Sequence, residues 1–178
     1  MSANSYHFVT HWRVPGTCAE VADLLEAMDQ LPRWWPAVYL DVAILRSGGP
    51  HALGQEVSLF TKGWLPYTLR WQFTVVEERY PYGSKLDARG DFVGRGEWSF
   101  EQDGGFVNAT YDWNIRAEKP LLRALSPVLR PIFEANHRWA MRMGEQSLKL
   151  ELQRIHAKTD AERLAIPPPP GPTFYKKT

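Results

Sequence analysis

The sequence lacks the features that mark several large classes of protein. It has one cysteine, Cys18, which excludes an internal disulfide framework and a cysteine-based zinc site. Its apolar runs are much shorter than a membrane span, and its first residues contain neither the basic region nor the apolar run of a signal peptide. These absences predict a cytoplasmic protein without stable membrane insertion.

Charge asymmetry and the common catalytic motifs are missing as well. The net charge is +1, which favours neither a nucleic acid nor an anionic membrane as a partner. There is no P-loop, Rossmann fingerprint or G-x-S-x-G motif. Glu134 and His137 form one E-x-x-H pair, whereas di-iron bundles need two such pairs and further carboxylates. We therefore predict no nucleic-acid partner, no metal ion and no other cofactor.

Aromatic side chains, in contrast, are abundant: 8 Trp, 7 Tyr and 8 Phe among 178 residues. Several alternate with polar residues, as Trp71 and Phe73 do with Arg70 and its neighbours. A period of two is typical of a β-strand with one buried face. Short segments of this kind, joined by turns over residues 37–116, predict an antiparallel meander. One more such strand is predicted at residues 6–14.

The longest periodic segment runs from Ser126 to Ile155, where apolar residues recur at steps of three, four and seven. Ser126 followed by Pro127 is typical of a helix N-cap with proline at the first helical position. We therefore predict a helix that begins there and measures roughly 36–45 Å at 1.5 Å per residue. A sheet with one apolar face must bury it, and only this helix is long enough to cover the predicted sheet.

Two short helical segments are predicted between the first strand and the meander. Thr17 and Glu20 form a capping box before an amphipathic segment. Residues 29–36, which contain Pro32 and Pro36, form a tight second helical turn or a loop. The predicted fold class is α+β. About seven antiparallel strands curve around a long C-terminal helix, with two short helices between strands one and two.

Residues 1–158 are predicted to form this single domain, and residues 159–178 a proline-rich tail. Four consecutive prolines in the tail favour an extended polyproline conformation. We expect a tail that is disordered or strapped along the surface, with a partner-binding motif as the alternative. Thr159 and Glu162 are spaced to cap one further short helix.

The order of these elements resembles the START-like, helix-grip superfamily, also called SRPBCC. The resemblance rests on VPGTCAEVADLL after the first strand, LPRWWPAVYLDV before the second, YDWNIRAEKPLLRAL after the last and FEANHRWAMRMGEQSL in the helix. It covers about residues 5–152. Within the superfamily, these segments are similar to the polyketide cyclase/dehydrase-like branch of bacterial proteins. The resemblance implies a cavity between sheet and helix that holds an apolar or aromatic small molecule.

Candidate ligand-binding residues come from the apolar sheet face, the long helix and the segment before the second strand. They are Trp34, Trp35, Trp71, Phe73, Trp98, Tyr111, Trp113, Phe133, Asn136, His137, Ala140, Met143 and Gly144. Ala140 and Gly144 are small, which leaves room for a guest. Plain core packing is the alternative for the aromatic residues, and close backbone packing for Gly144. Spacing does not decide whether Asn136 or His137 faces the cavity.

Trp34 and Trp35 are adjacent on a short segment bounded by prolines, and such a segment does not easily bury both side chains. In this fold the segment borders the cavity mouth. One interpretation is a gate or rim for an apolar guest. The other is a staple that closes the end of the grip.

Three functions are consistent with these patterns. We favour binding of a small hydrophobic or aromatic molecule, polyketide- or lipid-like, because the inward face is rich in aromatic and poor in ionisable groups. The second is a polyketide cyclase/dehydratase-type enzyme that transfers protons through His137 or Tyr111. The third is an interaction or membrane-surface module that uses Trp34, Trp35, Trp64 and the tail. The sequence leaves the oligomeric state and the choice between carrier and enzyme open.

Overall fold

The fold combines one antiparallel sheet with one long helix. The structure is a computed structural model that describes residues 4–175, apart from the side chains of Ser126 and Pro127. In chain order its strands and α-helices are β1 (Ser5–Pro15), α1 (Cys18–Glu26), α2 (Leu31–Trp34), β2 (Tyr39–Arg46), β3 (Glu56–Lys62), β4 (Thr68–Glu78), β5 (Gly83–Gly90), β6 (Phe92–Asp103), β7 (Phe106–Ala117), α3 (Pro120–His156) and α4 (Asp160–Ala165). Short 3₁₀ turns lie at Met28–Gln30 and Pro50–Ala52.

The described strands form one antiparallel sheet in the order β1-β7-β6-β5-β4-β3-β2. The first and last strands are neighbours, because β1 pairs with β7 from Ser5 opposite Arg116 to Pro15 opposite Phe106. The other strands follow one another as a meander. α3 packs against the sheet, with its most extensive strand contact on β1. This arrangement confirms the α+β, helix-grip prediction.

The sheet buries the face that the alternation predicts. On β4, Leu69, Trp71, Phe73 and Val75 are buried, whereas Arg70 is exposed. Side chains two residues apart share one face of a strand. The apolar sets of neighbouring strands therefore combine into one surface, and that surface faces α3.

The long helix begins earlier than the sequence predicts. α3 starts at Pro120 and contains 37 residues, about 55 Å at 1.5 Å per residue. Pro120 takes a position in the first turn, where its missing N–H is not needed. The predicted start at Ser126 is wrong because the backbone is already helical there, and the side chain of Ser126 lies outside the described part. Pro131 consequently lies in the interior of the helix.

The capping box before α1 is present as predicted. The Thr17 hydroxyl accepts a hydrogen bond from the Glu20 N–H at 3.2 Å, and the Glu20 carboxylate accepts one from the Thr17 N–H at 2.8 Å. Cys18 at the start of the helix is buried, and burial raises the pKa of its thiol. It is therefore a packed side chain and not an activated nucleophile.

Both tryptophans of the second helical segment are buried, contrary to the prediction that such a segment does not easily bury two. Trp34 is 0% and Trp35 3% exposed. Their rings stack 5.7 Å apart, and the Trp35 ring also meets Trp12 at 5.5 Å and Tyr39 at 5.0 Å. Aromatic contacts on several sides thus bury the apolar surface of both indoles within the core. A membrane surface therefore cannot be contacted through Trp34 and Trp35.

The proline-rich tail follows the surface. Thr159 caps α4 by accepting a hydrogen bond from the Glu162 N–H at 3.1 Å, as predicted. The backbone carbonyl of Pro167 accepts a hydrogen bond from Arg154 on α3. Further on, the Thr173 hydroxyl donates to the backbone carbonyl of Trp64 at 2.9 Å. The tail thus returns from the end of α3 to the turn that follows β3.

Candidate functional site

A cavity of about 120 Å³ lies between the sheet and α3. Its lining is predominantly apolar and includes residues from six of the strands that the structure describes, together with α3. The predicted ligand-binding residues in this lining are Trp35, Trp71, Tyr111, Trp113, Phe133, Asn136, His137 and Ala140. The space that the resemblance implies between sheet and helix is therefore present in the protein.

Stacked aromatic rings form the sheet wall of this cavity. Tyr111 stacks on Trp113 with ring centroids 5.6 Å apart, and Trp113 meets Trp71 at 5.5 Å. Tyr111 also stacks on Trp98 at 4.4 Å. Each ring is braced by its neighbours, so the wall is a preformed surface for a flat apolar guest.

The other predicted residues lie outside this lining. Phe73 and Trp98 line a smaller neighbouring cavity of about 60 Å³, which also touches Trp71 and Tyr111. Trp34 belongs to the core. Met143 is partly buried and packs against that core without lining the cavity.

Gly144 does not leave room for a guest, because Trp35 occupies the space beside it. A Cβ atom at Gly144 would lie 2.3 Å from the Trp35 ring. The glycine therefore lets the indole approach the helix backbone, which was the alternative interpretation. Ala140, one turn earlier, does line the cavity.

Asn136 connects α3 to the turn between β3 and β4. Its side chain is buried, accepts a hydrogen bond from the Leu65 N–H at 3.1 Å and donates one to the Tyr67 hydroxyl at 3.3 Å. Gly63 allows this close approach, since a Cβ there would lie 2.2 Å from the Asn136 amide oxygen. These bonds hold the turn against the helix at one side of the cavity.

His137 also lines the cavity, so both neighbouring polar residues of α3 face it. Its ring stacks on Phe8 with centroids 4.0 Å apart. The Nε2 atom is buried and has no hydrogen-bond partner in the described part of the chain. Burial, with a smaller contribution from the Arg138 charge, lowers the pKa of His137 to about 4. The imidazole is therefore neutral at pH 7 and has an unused polar atom beside the cavity.

Three tyrosines add hydroxyl groups to the lining. Burial raises the pKa of Tyr67 to about 12, and it also raises the pKa of Tyr39 and of Tyr111. All three phenols remain protonated at neutral pH and can donate hydrogen bonds. An apolar cavity with a few convergent hydrogen-bonding groups has the composition of a small-molecule site.

Several lining residues are not among the sequence-predicted candidates. They are Tyr6, Phe8, Val38, Tyr39, Thr61, Lys62, Gly63, Tyr67, Leu69, Phe92, Ile115, Ala117, Leu122 and Met141. The alternation of β1 places Tyr6 and Phe8 on its apolar face, so these two could have been found from the sequence. Lys62 carries no such signal, because lysines are rarely buried.

Lys62 is nevertheless 3% exposed. Its ammonium donates hydrogen bonds to the Gly63 carbonyl at 2.7 Å and to the Thr173 hydroxyl at 3.0 Å. Burial lowers the pKa of this amine. The wall of the cavity thus includes one cation, which is covered by the tail.

Within residues 4–175, no group of three or more His, Cys, Asp or Glu side chains is arranged to hold a metal ion. Glu134, the acidic half of the E-x-x-H pair, forms an ion pair with Arg130 at 2.9 Å. No helix in that part of the chain has the length and apolar character needed to span a membrane.

The sequence matches one protein family over residues 6–152, which include all the strands and most of α3. The family is described as polyketide cyclase / dehydrase and lipid transport. No curated protein matches the chain in sequence.

Solved structures share the fold at low sequence identity. The Zhui aromatase/cyclase from Streptomyces sp. R1128 has a TM-score of 0.68 and 18% identity, covering 86% of this chain and 97% of that chain. A START superfamily protein from Mycobacterium smegmatis has a TM-score of 0.58 and 12% identity, covering 76% and 93%. The di-domain ARO/CYC BexL from the BE-7585A biosynthetic pathway has a TM-score of 0.66 and 14% identity. The alignment covers 88% of this chain and 51% of BexL, so the chain spans about half of that protein.

Proposed function

We propose that this chain, which belongs to the polyketide cyclase/dehydrase and lipid transport family, binds a small hydrophobic molecule with an aromatic ring. The observation that carries the proposal is the cavity between the sheet and α3, which is walled by Trp71, Tyr111 and Trp113. Flat apolar rings stack favourably on such a wall. Hydrogen-bonding groups at His137 and Tyr39 would orient a polar substituent of the guest.

The size of the cavity limits the guest in this conformation. An engineered apolar cavity of about 150 Å³ binds benzene, so a space of about 120 Å³ matches a single ring. Typical drug-sized ligands need about 300–1,000 Å³. A larger, polyketide- or lipid-like guest would therefore require the cavity to open or to merge with the smaller neighbouring cavity.

The pKa shifts favour binding over proton transfer. A general acid or base is most effective when its pKa lies near the working pH. His137, with a pKa of about 4, is a weak base, and Tyr111 retains its proton well above neutral pH. Both residues are better suited to hydrogen bonding than to proton exchange.

The second candidate is a cyclase/dehydratase-type enzyme. One observation favours it: the Nε2 atom of His137 is buried beside the cavity and unpaired, as a group awaiting a substrate would be. In such an enzyme His137 or Tyr111 would exchange protons with a bound polyketide-like substrate. If so, His137→Ala should abolish turnover and leave ligand affinity within a few-fold. Unchanged turnover would remove His137 from the mechanism.

The binding proposal is tested on the purified protein. Solvent extraction and native mass spectrometry would reveal a molecule that co-purifies. Tryptophan fluorescence, titrated with a library of single- and two-ring aromatic compounds, would report occupancy because Trp35, Trp71 and Trp113 line the cavity. We expect a co-purifying hydrophobic molecule or a saturable change in fluorescence. An empty protein whose fluorescence responds to no compound would refute binding.

A further inference from the structure

Lys62, the last residue of β3, is a buried cation. Within residues 4–175, no carboxylate accepts a hydrogen bond from its ammonium group. Its hydrogen bonds go instead to neutral oxygens, those of the Gly63 carbonyl and of Thr173. A buried charge normally requires a partner of opposite charge. The site therefore has an unmet preference for an anion.

The partner that covers Lys62 belongs to the tail. We call residues 166–175 the strap. Thr173 offers its carbonyl and its hydroxyl to the Lys62 ammonium, and the same hydroxyl donates to the Trp64 carbonyl at 2.9 Å. The Tyr175 ring meets Phe60 on β3 edge to face, with centroids 6.4 Å apart.

These contacts hold the strap weakly. None of its residues is buried, and Phe174 is 81% exposed. Phe174 also has a φ of 49°, a left-handed conformation that is unfavourable for a bulky residue. α4, which precedes the strap, has no buried residue either. A segment with so little buried surface opens at low free-energy cost.

Lys62 lies at the junction of the strap and the cavity, because it lines the cavity and contacts Thr173. We propose that the strap is a latch, and that a hydrophobic ligand bearing a carboxylate opens it by replacing Thr173 on Lys62. This inference rests on the proposed function of the cavity.

The chemistry favours a carboxylate over the strap as the partner of Lys62. The Thr173 oxygens already accept hydrogen bonds from a charged donor. A carboxylate would add the attraction between opposite charges, which is stronger in a partly buried site than in water. The apolar part of the ligand would occupy the aromatic cavity while its carboxylate pairs with the ammonium. Release of the strap would also widen a space that holds a single ring when the latch is closed.

The test compares two single-ring probes, benzoate and neutral phenol, by isothermal titration calorimetry on full-length protein. The variant Thr173→Val/Tyr175→Ala loosens the strap, and Lys62→Met removes the cation. Leu164→Ala, at an exposed position on α4, is the matched control. Thermal unfolding verifies that each variant is folded, and hydrogen exchange of the C-terminal peptide reports strap release.

If the strap is a latch, the loosened-strap variant should bind benzoate about fivefold tighter, because a larger fraction of the protein is competent to bind. Its affinity for phenol, and the affinity of the control variant for both probes, should not change. Lys62→Met should lose about tenfold in affinity for benzoate relative to phenol, and only benzoate should speed hydrogen exchange in the strap. If both probes bind every variant alike and exchange does not change, the latch is refuted while the cavity stands. If neither probe binds any variant, the proposed function fails and the latch fails with it.

Discussion

At the scale of single residues, two adjacent polar residues of α3 differ in how they use their hydrogen-bonding groups. The side chain of Asn136 forms hydrogen bonds with the segment between β3 and β4. His137, the next residue, stacks on Phe8 and leaves Nε2 without a partner in the described part of the chain. Asn136 thus positions a wall of the cavity, whereas Nε2 of His137 is free to accept or donate a hydrogen bond within the cavity if a ligand binds there.

The buried imidazole should make stability depend on pH. The folded-state pKa of His137 is about 4, below the unfolded value of about 6.5, so between these values the unfolded chain binds the additional proton. The contribution is fully present above pH 6.5 and decreases as the pH falls toward 4, by about 2 kcal/mol at pH 5. Denaturant unfolding of wild type and His137→Phe, which keeps a stacked ring, measures it. Parallel pH profiles of the two proteins would show that His137 does not cause the loss.

The sequence predicts some of these residues and not others, for physical reasons. Asn136 and His137 stand out because they are polar within a periodic apolar stretch. Lys62 could not be predicted, since its burial depends on a tail more than one hundred positions away in the chain, with Thr173 as its partner. Spacing also could not choose between the two interpretations of Gly144, because it does not show that Trp35 fills the space beside this residue.

At the scale of secondary-structure elements, the strands were predictable because alternation encodes which face is buried. The start of α3 was not. Lys119 precedes the helix without a side-chain cap, so no local signal marks Pro120, whereas Ser126 and Pro127 imitate a helix start. The Ser126-Pro127 pair therefore lies inside α3 and does not mark its first residue.

The two exposed prolines of α3 allow a direct test of this boundary. Pro131 lies in the helix interior, where proline removes a hydrogen bond, whereas Pro120 lies in the first turn. Pro131→Ala should stabilise the protein by about 1–3 kcal/mol in denaturant unfolding. The matched control Pro120→Ala should change stability by less than about 0.5 kcal/mol. Equal effects of the two substitutions would contradict a helix that begins at Pro120.

At the scale of the whole molecule, the open space between sheet and helix is the feature that packing alone does not explain. Protein interiors are close-packed, whereas a cavity of about 120 Å³ separates part of the sheet from α3. The sequence predicted the layers that enclose this space, because strand and helix periods identify their buried faces. It could not give the volume, which depends on how the side chains of seven strands and one helix meet.

The most direct test of the account fills the cavity without touching the strap. Ala140 lines the cavity on α3, so Ala140→Leu should occupy the space of a guest ring. The control Ala161→Leu adds the same atoms at an exposed site on α4. The measurement is the affinity for phenol by calorimetry, together with the melting temperature. We expect Ala140→Leu to weaken binding more than tenfold with little loss of stability, and the control to bind as wild type does. Wild-type affinity in a stably folded Ala140→Leu protein would show that the ligand binds elsewhere.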